Sequence, residues 1–110
     1  MKFAIPTVGK KLTEHFGHCE CFAIVSVNDK SIEKVEYLDP PVHQPGVYPR
    51  FLAEAGVDAI LASGIGQRAR QLFAQNNIEV IVGIQGGSPE ELVMQYLSNT
   101  IISGNNPCDH

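Results

Sequence analysis

A chain of 110 residues, 44% hydrophobic and 18% charged, has the composition of one globular domain. Its net charge of −4 argues against a nucleic-acid partner, which calls for a basic face. No apolar run is long enough to span a bilayer, and Met1–Pro6 does not have the make-up of a signal peptide, so the expectation is a cytoplasmic protein without membrane contact.

Lys2 to Pro6 reads as a short buried strand closed by Pro6. Residues 7–20 read as a long loop holding two histidines and one of three cysteines. Cys21–Val27 is rich in β-formers, Asn28-Asp29-Lys30 is a turn, and Ser31–Leu38 is its hairpin partner. Asp39-Pro40-Pro41 ends that strand, and a loop continues past His43. The period then changes. Val47–Ala55 is predicted helical, with Pro49 in the first turn and Gly56 as terminator. Val57–Ala62 is a buried strand, Ser63-Gly64-Ile65-Gly66 a tight turn, and Gln67–Gln75 a helix closed by Asn76-Asn77. Ile78–Ile84 is the next strand. Ser88-Pro89-Glu90-Glu91 opens the last helix, with Ser88 as cap and Glu91 completing a capping box. The predicted order is β-β-β-α-β-α-β-α: an α/β fold with a five-stranded mixed sheet covered by helices, a body over residues 1–98 and a tail over 99–110.

If the last two strands run parallel to the first, the loop 7–20, the His43 loop, Gly64-Ile65-Gly66 and Gln85-Gly86-Gly87 share the carboxyl edge, where open α/β sheets bind ligands. The tail begins at the opposite end. Twelve extended residues cover roughly 40 Å, enough for Cys108 and His110 to reach that edge.

The cysteines are odd in number and closely spaced, which suits ligation better than a disulfide framework. In an extended segment Cys19 and Cys21 point the same way and could face one ion. With Cys108 and His110 they make a Cys₃His set suited to zinc, iron–sulfur or Cu(I). His15, His18 and His43 are further candidates. The plain alternative is that Cys19 and Cys21 are half-buried strand residues and the tail has no role. Glu14 and Glu20 read as solvated. Gly64-Ile65-Gly66-Gln67-Arg68-Ala69 fits a dinucleotide fingerprint but lacks its acidic partner about 20 positions on. It reads as an anion seat built from Gly64, Gly66 and Arg68 or Arg70 at a helix start, or equally as tight strand-to-helix packing. No hydrolytic constellation stands out.

The opening Met-Lys-Phe-Ala-Ile-Pro strand, Glu14-His15-Phe16-Gly17-His18 before Phe22-Ala-Ile-Val, Ser63-Gly64-Ile65-Gly66, and Leu72-Phe73 before Asn77-Ile78-Glu79-Val80 carry a resemblance. Over residues 1–98 the chain resembles the dinitrogenase iron–molybdenum cofactor biosynthesis family, the small domain of NifX-like proteins that also ends NifB. The resemblance implies a ribonuclease-H-like three-layer α/β/α fold without nuclease chemistry. It also implies a non-enzymatic role in binding or carrying an iron–sulfur or molybdenum–iron–sulfur cluster, exchanged with a donor or acceptor protein, with His15 as a cluster contact. The Cys-x-Cys and terminal Cys-x-His are not part of the family's general pattern. The alternatives are a mononuclear zinc or iron site with a structural role, and a small anion- or nucleotide-binding module.

Overall fold

A computed structural model describes residues 1–14, 16, 19–41 and 47–98. Along the described chain the elements are β1 (Lys2–Val8), β2 (Lys11–Leu12), β3 (Cys21–Asn28), β4 (Ser31–Leu38), α1 (Val47–Glu54), β5 (Ala59–Leu61), α2 (Gln67–Gln75), β6 (Glu79–Ile81) and α3 (Pro89–Leu97). The sheet runs β4-β3-β1-β5-β6, with β2 paired to the far end of β1. β3 is antiparallel to both β1 and β4, whereas β5 is parallel to β1 and β6 to β5.

Helices cover both faces. Ala4, Phe22, Ile24 and Ile60 pack with Tyr48 and Leu52 of α1 and Phe73 of α2. Phe3, Ile5, Ala23, Val25 and Leu61 pack with Leu92 and Val93 of α3. Alternate residues of each strand therefore enter opposite cores. This explains why β1 reads as an unbroken apolar run rather than an alternating one: a strand buried on both faces has no solvent side.

Three sequence expectations need correction. Pro6 does not close the first strand, which continues to Val8. Its carbonyl accepts from Thr13 N–H at 3.0 Å, so its backbone polar positions face away from β3. The missing N–H thus costs nothing in the β1–β3 ladder, where Pro6 still pairs with Phe22. Residues 7–20 are not simply a loop, because they contain the end of β1 and all of β2. Gly9 (φ 60°) and Lys10 (φ 63°) form the two-residue turn between Val8 and Lys11. Two positive φ values give the hairpin turn whose twist matches its strands. The sheet consequently has six strands, not five.

Helix ends follow local chemistry. Gly56 takes φ +83° just beyond α1, a conformation open to glycine and strained for other residues. At α3, Ser88 Oγ accepts from Glu91 N–H at 3.3 Å and Pro89 occupies the first turn, where its missing donor is harmless.

Candidate functional site

Because β1, β5 and β6 are parallel, their carboxyl ends share one edge. The described loops expected there are found there; the His43 loop lies outside the described residues. The edge is cross-tied. Leu12 N–H donates to Gly87 O (3.1 Å), Glu20 N–H to Thr7 O (2.8 Å) and Gly83 N–H to Ser63 O (2.8 Å). Ser63 Oγ donates to Ile84 O at 2.6 Å. Glu20, expected to be merely solvated, accepts the Gly9 N–H at 2.7 Å and so braces the β1–β2 turn.

Phe16 packs into the body. It is 9% exposed, and its ring lies 5.4 Å from Tyr48, 5.7 Å from Phe73 and 5.9 Å from Phe22. An aromatic cluster of this kind binds by area and by edge-to-face electrostatics. His15 and His18, the segment's candidate ligands, lie outside the described residues.

The two described cysteines part company. Cys19 is 8% exposed and belongs to the core under α1 and α2, beside Phe16 and Phe22. Burial pushes its thiol up to about 11; a hydrogen bond from its own backbone opposes the shift, and the charge of Cys21 adds to it. Cys21 is half-buried and opens β3 opposite Thr7. Since Phe22 enters the α1/α2 core, Cys21 belongs to the other face, the one covered by α3. Cys19 thus packs under α1 and α2, whereas Cys21 opens β3 on the opposite face of the sheet. The reason is local: regular extension starts at Cys21, and a bend at Glu20 breaks the alternation. Cys21 Sγ–H donates to Asp39 Oδ1 at 3.5 Å. Partial burial, then that hydrogen bond and the charges of Asp39 and Glu20, push the Cys21 thiol upward. Cys108 and His110 lie outside the described residues. Among the described residues, no three His, Cys, Asp or Glu side chains are grouped closely enough to hold a metal ion.

Asp39 escaped the sequence reading, although a signal was available. Hairpin register pairs Phe22 with Leu38, which brings Asp39 alongside Cys21. Thr7, also overlooked, is 1% exposed and donates its hydroxyl to Cys21 O at 2.9 Å, holding the start of β3 in place.

At the second candidate, Ile65 is fully buried in the α1/α2 core and seats the turn. Gly66 is the N-cap of α2 at φ −61°, with no side-chain cap, and a Cβ there would meet nothing within 4 Å. Packing does not demand glycine at this position. Gly64 is buried, while Arg68 is exposed beside the helix start. No helix among the described residues is long and apolar enough to cross a membrane.

Comparison with known proteins gives concordant results. The family model described as dinitrogenase iron-molybdenum cofactor matches residues 1–99. The uncharacterized protein MJ0580 of Methanocaldococcus jannaschii is 35% identical over 85 residues, covering 73% of this chain and 72% of that one. The crystal structure of PH0822 superposes with a TM-score of 0.86 at 25% identity, over 94% of each chain. The apo form of the orange protein from Desulfovibrio gigas superposes with a TM-score of 0.78 at 21% identity, over 96% of this chain and 94% of that one.

Proposed function

The chain belongs to the dinitrogenase iron-molybdenum cofactor family, and from that membership we propose that it binds or carries an iron–sulfur or molybdenum–iron–sulfur cluster during cofactor assembly, without catalysing a reaction. The observation that carries this reading is the family match itself, which spans every strand and helix of the body. A mixed sheet with helices on both faces supports the layered α/β arrangement that the resemblance implies.

In this reading the cluster sits at the carboxyl edge. His15 and His18, on either side of Phe16 in the sequence, supply imidazole. Cys21 supplies a thiolate from the start of β3. Cys108 and His110 close the site from the tail. Cys19 joins only if its side chain leaves the aromatic core. A thiometallate cluster is anionic, so the positive end of α2 at Gly64–Gly66 and the exposed Arg68 would favour it. An edge site of this kind is open to a donor or acceptor protein, and the setting proposed is the cytoplasm.

Anaerobic reconstitution with iron and sulfide, followed by absorption spectroscopy, tests the proposal. The expected result is a coloured protein whose visible bands weaken in His15→Ala and Cys21→Ser variants. A protein that stays colourless, with variants indistinguishable from wild type, would overturn it.

A further inference from the structure

Among the described residues the sheet ends on two open strands. β6 has three residues, whereas β4 runs for eight, from Ser31 to Leu38. The direction of the β4 main chain follows from the inner ladder. The Met1 amino group donates to Val27 O at 3.1 Å and Val27 N–H donates to Met1 O at 2.8 Å. Val27 and its alternates Val25 and Ala23 therefore turn their main-chain groups toward β1. Phe22, Ile24 and Ser26 turn theirs toward β4, opposite Leu38, Glu36 and Lys34. Val35 and Tyr37 consequently direct their N–H and C=O groups outward, to the open edge.

Charge on an edge strand ordinarily deters further pairing. On β4 that charge is mixed in sign. Lys34 and Glu36 share one face and bind each other at 2.8 Å. An antiparallel copy of β4 centred on Val35 sets Lys34 opposite the second copy's Glu36, and Glu36 opposite its Lys34. These fall at the positions of the new ladder where side chains approach most closely. Val35 meets its own counterpart and exchanges two main-chain hydrogen bonds with it. Sliding the copy by two residues either way sets Lys34 against Lys34 or Glu36 against Glu36, and a parallel copy in register does both. Opposite charges facing across a ladder favour pairing and like charges oppose it, so one register is selected. The irregularity of the β3–β4 ladder falls at Ser26/Val27 and leaves Lys34–Leu38 regular.

We propose that β4 is a self-association edge, where two copies of this chain join antiparallel about a two-fold axis at Val35 and one sheet continues through both. The same patch then serves each partner, as such an axis requires. β4 runs in the same direction as β1, because both are antiparallel to β3. The carboxyl edges of the two copies therefore point in opposite directions, and each stays open. The surface goes beyond the cluster-carrying reading and does not depend on it. Its matched stretch is short, so the dimer is weak and reversible.

Sedimentation equilibrium of the full chain, over a concentration series reaching millimolar, tests the proposal. Wild type should pass from monomer to dimer. Lys34→Glu and Glu36→Lys should each weaken self-association at least tenfold, because each leaves the strand with charge of one sign. Both side chains are exposed, so these variants keep the fold. Mixed together, the two variants should form a heterodimer, and a chain carrying both changes should recover wild-type self-association. Hydrogen exchange at the Val35 amide should slow as the dimer forms. A wild-type chain that stays monomeric throughout, a dimer indifferent to either single change, a mixture without heterodimer, or an unchanged Val35 exchange rate overturns the proposal.

Discussion

Replacing Phe16 by alanine removes a buried ring at the centre of an aromatic cluster. The ring is 9% exposed and meets Tyr48, Phe73 and Phe22 at centroid distances of 5.4, 5.7 and 5.9 Å. Core Phe→Ala changes cost about 3–5 kcal/mol, and each aromatic pair carries about 0.5–1.5 kcal/mol beyond its area. Phe16 comes from a connection rather than a strand, so its surroundings can partly close over the gap, and the lower end, about 3 kcal/mol, is expected. For a domain of this size that lowers Tm by roughly 10–20 °C. Urea unfolding followed by circular dichroism measures the loss, with an unchanged slope showing that the unfolding reaction is the same. Phe16→Leu keeps most of the volume and should cost about 1 kcal/mol. A Phe16→Ala loss below about 1 kcal/mol would mean that the ring is not packed in the core.

The remaining predictions concern the cysteines and one turn. Cys19→Ser buries a hydroxyl among aromatics and should destabilise by about 1–3 kcal/mol, whereas Cys21→Ser should cost less than about 1 kcal/mol; urea unfolding compares them. At neutral pH, iodoacetamide should modify Cys21 in the native protein and Cys19 only after denaturant is added, as peptide mass spectrometry would show. The folded state holds the Cys19 proton more tightly, with the thiol raised from 9.0 to about 11. Its contribution is therefore complete below pH 9 and is lost as pH rises through 11; the stability difference between wild type and Cys19→Ala should shrink across that window, and a constant difference would refute the shift. Gly56→Ala forces a side chain to φ +83° and should cost about 1 kcal/mol in thermal unfolding, although a Cβ would touch only the Lys2 side chain.

The helices were the most legible part of the sequence. α2 spans the expected Gln67–Gln75 because its apolar spacing and flanking glycine and asparagine agree. Ser88, Pro89 and Gly56 act through local backbone chemistry that a sequence displays directly. The β1–β2 hairpin was hidden, since Gly9-Lys10 is not a familiar turn pair and β2 is stabilised by distant partners such as Gly87. Pro6 misled because proline is disfavoured in central strands, and only the geometry of the sheet shows its missing donor to be harmless. The common edge of the loops followed from strand direction alone. The cysteine geometry did not, because facing along an extended chain depends on where the strand begins. One residue of bend at Glu20 is enough to put two thiols in different surroundings.

Metal and acid-labile sulfide content, measured together on protein isolated from its host without exposure to air, tests the cluster proposal most directly. Iron or molybdenum accompanied by stoichiometric sulfide is the predicted result. Protein free of both, or a metal ion with no sulfide, would contradict a cluster-carrying role.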